Sequence, residues 1–161
     1  MFNELSAWLK STALHEFITS SYLIFPAAET LHFMGLTMLV GALLIVDLRG
    51  MGFIKSISME TAHKFVPVAL IAFSVNLVTG IIFIFADPDR YFINIAFQVK
   101  MLLILVAGIN ALVFEFAVFR PAMAGRSSAA QNLLAKLTSG TSLLIWTCVI
   151  IGGRLIPYVE Y

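Results

Sequence analysis

Residues 26–46 read PAAETLHFMGLTMLVGALLIV, an almost unbroken apolar run with one carboxylate and one imidazole near its start. A helix needs roughly 20 mostly apolar residues to cross about 30 Å of hydrocarbon, so this run predicts a membrane-spanning helix. Pro26 suits the first turn of such a helix, and Asp47 and Arg49 close its apolar part. Three further runs predict spans at residues 65–86, 95–119 and 137–157.

The composition supports a protein that lies almost wholly in the bilayer. The hydrophobic fraction is 60% and the charged fraction 12%, whereas soluble domains are about half apolar and a quarter charged. We therefore predict an all-α, four-transmembrane-helix bundle that forms one integral membrane domain over residues 1–161. The net charge of +1 offers no electrostatic attraction to nucleic acid, so the lipid bilayer is the expected partner.

The first 20 residues differ from the spans because apolar side chains alternate there with polar ones. The spacing is close to that of one helix face and predicts an amphipathic helix along the membrane interface. Its apolar members are Phe2, Leu5, Trp8, Leu9, Leu14 and Phe17. The segment lacks the basic leader and continuous apolar core of a cleaved signal peptide, so we expect it to be retained.

The basic residues of the short loops predict the orientation, because such residues are enriched on the cytoplasmic side. One side carries six of them: Arg49, Lys55, Lys64, Arg120, Arg126 and Lys136. The other side carries three: Lys10, Arg90 and Arg154. We therefore expect a bacterial inner-membrane protein whose two termini face outward, to the periplasm.

Ionisable side chains within spans are costly and are candidates for function. Glu29 and His32 lie in the first span, Lys100 in the third, and Arg154 near the end of the fourth. At 1.5 Å rise per residue, His32 lies about 9 Å into its helix, and Lys100 and Arg154 fall in the same outer layer. Glu29 and His32 are three residues apart and share a helix face. The four groups are expected to meet, although Lys100 and Arg154 could instead extend to the lipid headgroups.

The remaining ionisable groups have more ordinary interpretations. His63 falls at the cytoplasmic mouth of the second span, about 20 Å from His32 in depth, and is expected at the interface or in a second, inner site. His15 is expected to face solvent unless the N-terminal helix folds back. At the cytoplasmic end, we expect structural ion pairs between Asp47 and Arg120 or between Glu115 and Arg49.

Several motifs are similar to a family of small bacterial four-helix membrane proteins of unassigned function. They are SYLIFPAAETLHFMGL at residues 21–36, DLR at 47–49, TG at 79–80, NIAFQVK at 94–100 and NAL at 110–112. The resemblance covers roughly residues 20–120, includes a Pro-x-x-Glu-x-x-His signature, and implies that Glu29, His32, Asp47 and Lys100 match the family pattern. The chain also resembles, more distantly, the copper-resistance D and b-type cytochrome 561 bundles, whose intramembrane histidines hold haem or face a metal. It departs from the b-type pattern, because only His32 lies well inside a span.

The leading functional hypothesis is a membrane haem b protein that transfers electrons or senses a redox partner. His32 would ligate the iron, Lys100 and Arg154 would neutralise the propionates, and Glu29 would orient the imidazole. Met34, Met101, His15, a residue of a second protomer, or no residue at all would supply the sixth ligand. A quinone or a redox protein is a possible partner, and a homo-oligomer would let few histidines suffice.

Two other classes of function stay open. Glu-x-x-His is half of the motif that helix bundles use for di-metal centres, but the chain lacks the second half. A mononuclear copper or zinc site for binding or transport would use His32, Glu29 and Met34. The third possibility is a non-catalytic accessory subunit whose buried charges fix helix pairing.

Overall fold

A computed structural model describes residues 2–126 and 128–159, and within them every regular element is a helix. The long helices are α3 (Ile24–Met51), α5 (Val66–Ala86), α7 (Ile95–Val113) and α9 (Ala129–Leu155). The short ones are α1 (Phe2–Lys10), α2 (Ala13–Ser20), α4 (Met59–His63), α6 (Pro88–Ile93) and α8 (Arg120–Met123). Four segments are long and apolar enough to cross a membrane. The predicted all-α class and its four spans are confirmed.

The short helices lie at the two ends of the bundle. Helices α1, α2 and α6 gather where the chain begins and finishes, which we call the terminal end. The amide of Asn94 holds this end together, since its Nδ2 donates to the carbonyl oxygens of Ile156 and Val159 over 2.9 and 3.1 Å. Helices α4 and α8 lie at the opposite end, which we call the loop end.

Capping groups, not the limits of the apolar runs, fix the helix ends. Helix α3 continues to Met51 and stops at Gly52, whose φ of 87° favours glycine. Helix α9 starts at Ala129, earlier than the predicted residue 137, because Ser128 and Gln131 form a reciprocal capping box.

The third span was predicted to end at residue 119, but it continues through a π-helical segment, Phe114–Phe119, into α8. The backbone N–H of Arg120 donates to the carbonyl of Glu115, five residues back. Pro121 has no N–H to offer Ala117. The wider turn lets the helix pass the proline, and the span ends at Met123.

The N-terminal segment forms two helices where one was predicted. The helical structure is interrupted at Ser11 and Thr12. The Thr12 hydroxyl caps α2 by accepting a hydrogen bond from the backbone N–H of His15. Leu9 of α1 and Ile18 of α2 are buried, whereas Trp8 is exposed. Helix α1 packs on α6, and α2 packs on α5 and α3. The segment therefore covers the terminal end of the bundle.

The long helices pack in the order α5, α3, α9, α7. Small buried residues on α3 and α5, Ala42, Ala69 and Ala72 among them, let these two helices approach closely. Trp146 of α9 contacts this α3–α5 cluster and also the cluster around Ala107 between α7 and α9. One indole therefore joins the two halves of the bundle near its middle.

Candidate functional site

His32 lies half-buried on α3 and faces α5. Its Nδ1 is 2.7 Å from the Thr79 hydroxyl oxygen, and its ring packs at 5.1 Å from the ring of Phe83. The Thr79 hydroxyl oxygen also lies 2.8 Å from the carbonyl oxygen of Val75 and 3.2 Å from that of Asn76, and either carbonyl can accept its single hydrogen. On this ground we assign the proton of the shared bond to Nδ1 of His32, as donor to Thr79, with the lone pair on Nε2.

Asn76 fixes the backbone next to this imidazole. The Asn76 side-chain amide is oriented so that both its nitrogen and its oxygen form hydrogen bonds. The nitrogen donates to the carbonyl of His32 over 2.6 Å, and the oxygen accepts from the N–H of Leu36 over 3.0 Å. A Cβ at Gly35 would lie 2.9 Å from the amide of Asn76. The absence of a side chain at Gly35 lets α5 reach the backbone of α3 and hold His32 in place.

Lys100 enters from α7 and passes across two glycines of α9. A Cβ at Gly153 would lie 3.2 Å from the Lys100 Nζ, and one at Gly152 would lie 3.7 Å from its Cβ. The ammonium therefore occupies space that these glycines leave free, and it is near enough to act electrostatically on His32. Of the predicted site residues, His32 and Lys100 are thus the two that interact electrostatically.

The other predicted site residues do not join them. Glu29 is exposed, because three residues along a helix turn it about 60° away from His32 and past the edge of the packed face. Arg154 is exposed and bends toward Tyr158, with its Nη2 3.2 Å from the phenol oxygen. Met34 and Met101 are exposed apolar side chains, and neither lies on the buried face of its helix.

His15 does not face solvent as expected. Its Nδ1 lies 2.7 Å from the carbonyl oxygen of Phe85, because the N-terminal helices fold back over the terminal end. This contact ties α2 to the last turn of α5. It also directs one ring nitrogen of His15 to a backbone carbonyl that would otherwise lack a partner at a helix end.

At the loop end, the expected ion pairs are wrong. Glu115 binds His63 and Arg120, with distances of 2.8 Å to His63 Nε2 and 2.9 Å to Arg120 Nε, and the His63 ring stacks on Phe119 at 3.5 Å. Arg49 instead donates to the carbonyl of Ile57. The π-helical segment carries both Glu115 and Phe119, so its wider turn positions the partners of His63.

Asp89 anchors the terminal end. Its carboxylate accepts hydrogen bonds from the Lys10 ammonium and the Ser6 hydroxyl of α1. The hydrogen bonds from Lys10 and Ser6 hold the pKa of Asp89 below its usual value. On the same helix, burial raises the pKa of Tyr91. The cavities at this end lie beside α6 and are not lined by His32.

The chain has one recognisable family relationship. The family of unknown function DUF6644 matches residues 7–159. The chain belongs to that family. The match extends beyond the predicted range of residues 20–120, and it supplies no activity. No curated protein and no solved structure matches the chain.

In this DUF6644 member, Thr79 and Asn76 are the residues whose contacts with His32 the sequence did not indicate. Both are polar side chains inside apolar runs, which was the available signal. Asp47 is 4% exposed and does not reach Arg120. Across residues 2–126 and 128–159, no three His, Cys, Asp or Glu side chains gather in a group that could hold a metal ion.

Proposed function

We propose that this protein binds haem b through His32 and acts in electron transfer or redox sensing. The supporting observation is the hydrogen bond from His32 Nδ1 to Thr79. Histidines that ligate metals typically donate their other ring N–H to an acceptor, which fixes the tautomer and the ring orientation. In this protein that assignment leaves the Nε2 lone pair to ligate a metal, and imidazole is a common ligand of haem iron.

The residues present fit one side of such a group. His32 would hold the iron, and Lys100, whose ammonium lies near it, would balance a propionate charge. Bound haem would supply one-electron redox chemistry. Met34, Met101 and His15 point elsewhere, so any further protein ligand to the iron would come from a second copy of the chain. A homo-oligomer and a quinone or redox-protein partner are part of this proposal.

The test is a reduced-minus-oxidised visible spectrum of protein purified in mild detergent from haem-replete cells. We expect a sharp α-band in the b-type region for the wild type and its loss in His32→Ala. Thr79→Val keeps the ligand but removes its hydrogen-bond acceptor, so haem affinity should fall about 10- to 100-fold. His15→Ala is the matched control, because it removes an imidazole at the same end and should retain the band.

A wild-type protein without haem, or a His32→Ala variant that keeps it, would contradict the proposal. A copper or zinc site built on His32, Glu29 and Met34 has less support, since Glu29 and Met34 are exposed.

An accessory, non-catalytic role is the second candidate, and the link between α3 and α5 favours it. The His32–Thr79 and Asn76 bonds join these helices whether or not a cofactor binds. Side-chain hydrogen bonds between membrane helices contribute about 0.6 kcal/mol each. Under this alternative, His32→Ala would lower thermal stability in detergent while the wild type shows no visible spectrum.

The proposed location is the bacterial inner membrane, with both termini and the His32 site on the periplasmic side. The excess of basic residues at the loop end supports this orientation. A site in the terminal half of the bundle would then exchange electrons with a partner outside the cytoplasm.

A further inference from the structure

The interface between α3 and α9 contains a buried carboxylate that the proposed haem site does not use. Asp47 is 4% exposed, and its Oδ2 has no hydrogen-bond partner among the described residues. A buried carboxylate without compensation is strongly disfavoured, and ionisable groups within spans usually mark ion or proton sites. Asp47 therefore requires a partner that neutralises its charge.

Helix α9 carries two buried serines on the side that packs against α3. Ser142 lies within hydrogen-bonding range of Asp47. Ser139, one turn earlier on α9, is 1% exposed, and its Oγ is unpartnered in the described part of the chain. Asp47 and Ser142 therefore lie together between α3 and α9, and the buried Ser139 hydroxyl lies one turn away on the side of α9 that contacts Gly50.

The packing of Gly50 sets this register. A Cβ at Gly50 would lie 2.1 Å from the Ser139 Oγ, so the two helices are in direct contact there. The helices run antiparallel, and one turn along each of them brings Asp47 level with Ser142. Phe114 closes the side of this contact, since its ring lies 3.5 Å from the same Gly50 position.

The charged groups of the neighbouring elements are engaged elsewhere or exposed. Arg49, two residues after Asp47, donates its Nε to the carbonyl of Ile57. Glu115, on the π-helical segment, is held by His63 and Arg120. Lys136 of α9 is exposed. No cation in the described residues therefore neutralises Asp47.

We propose that Asp47, Ser139 and Ser142 form a binding site for a monovalent cation, either Na⁺ or a proton. Carboxylate and hydroxyl oxygens are hard ligands that suit hard cations, and a hydroxyl can also accept a hydrogen bond from a protonated carboxyl. One positive charge neutralises the site, whereas a divalent ion would leave an excess charge in a low-dielectric interior. The site is separate from His32, so this proposal does not depend on haem binding.

The decisive measurement is the thermal unfolding temperature in detergent, recorded over a series of NaCl concentrations and a series of pH values. Choline chloride keeps the ionic strength constant, so that general screening does not change. A cation that binds only the folded state raises the unfolding temperature with its concentration. For a Na⁺ site, the wild type should be stabilised by NaCl, whereas Asp47→Asn should not respond.

For a proton site, the wild type should lose stability as the pH rises, without responding to NaCl, and Asp47→Asn should lack that dependence. Ser139→Ala keeps the carboxylate and should weaken the response without abolishing it, which covers the case that Asp47→Asn fails to fold. Glu16→Gln, at an exposed position, is the control and should behave as the wild type. The proposal would be overturned if the unfolding temperatures of the wild type and of Asp47→Asn changed with NaCl and pH in the same way. If Asp47→Asn does not fold, a wild-type unfolding temperature that responds to neither NaCl nor pH would overturn it.

Labelling with a lipid-soluble carbodiimide then distinguishes the two ions at the site itself. The protonated carboxyl adds across the carbodiimide and rearranges to a stable N-acylurea, which peptide mass spectrometry locates. Labelling of Asp47 that NaCl slows and choline chloride does not would assign Na⁺. Labelling that follows pH alone would assign the proton.

Discussion

Asp89 shows how a single exposed carboxylate can hold an element in place. It receives hydrogen bonds from Lys10 and Ser6, both on α1. Leu9 supplies the buried apolar anchor next to them. The carboxylate must be ionised to accept both bonds, so the docking of α1 depends on the charge of Asp89.

The docking of α1 should therefore weaken in acid. Because the folded-state pKa of Asp89 is lowered, its contribution is fully present above the unfolded value of about 3.9. It is lost as the pH falls through the lower, folded value. We expect the fluorescence of Trp8, measured in a Trp146→Phe background, to change below about pH 4.

At neutral pH, Asp89→Asn should already show the Trp8 fluorescence that the wild type shows in acid, because an amide cannot replace the charge that Lys10 faces. Glu16→Gln removes a carboxylate from the neighbouring helix α2 and should keep the wild-type transition. Identical pH curves for the wild type and Asp89→Asn would show that Asp89 does not control the docking.

At the scale of the residue, sequence reasoning located His32 and Lys100 but not their environment. Depth along a helix follows from counting residues, which is why these two were expected in one layer. Rotation about the helix axis depends on which neighbours pack, and it turned Glu29 and Met34 outward. Thr79 and Asn76 were not assigned to His32, because a contact between α3 and α5 at a particular level is not visible in either helix alone.

At the scale of the element, the approach of α3 to α9 depends on Gly50. Gly50→Ala would place a Cβ 2.1 Å from the Ser139 hydroxyl, so the helices would have to separate or Ser139 would have to move. Overpacking of this kind typically costs about 1–3 kcal/mol. We expect a lower unfolding temperature for Gly50→Ala in detergent.

Ser139→Gly should restore most of the lost stability in the double variant, because it removes the atoms that clash. A coupling of about 0.5–3 kcal/mol is expected for residues in direct contact. Gly41→Ala is the matched control on the same helix, since nothing lies within 4 Å of its Cβ position. Simple additivity of Gly50→Ala and Ser139→Gly would show that the two positions do not share this contact.

The spans were predictable because a bilayer demands long apolar helices, and composition alone reveals these. The helix ends were harder to predict, since α9 begins at a capping box outside the apolar run. That signal, a serine followed three residues later by glutamine, was present in Ser128 and Gln131. The passage of the third span through Pro121 was not foreseeable, because it depends on a π-helical turn that hydropathy does not indicate.

At the scale of the whole molecule, the packing order leaves α5 and α7 at the two edges of the bundle. Both carry many exposed apolar side chains, and Gly80 and Gly108 have open space around their Cβ positions. These faces suit lipid or another copy of the chain. Helix α9, one of the inner pair, carries three of the eight buried polar residues in the described part of the chain: Thr138, Ser139 and Ser142.

The orientation of the whole bundle can be tested with single cysteines. In a Cys148→Ser background, Ser11→Cys reports on the terminal end and Ser56→Cys on the loop end, and both positions are exposed. Because basic residues are concentrated at the loop end, that end should be cytoplasmic. A membrane-impermeant maleimide applied to spheroplasts should label Ser11→Cys at once and Ser56→Cys only after permeabilisation. The reverse pattern would place His32 and Lys100 in the cytoplasmic half and exclude the proposed periplasmic partner. Labelling of both positions from one side would mean that α3 does not cross the membrane.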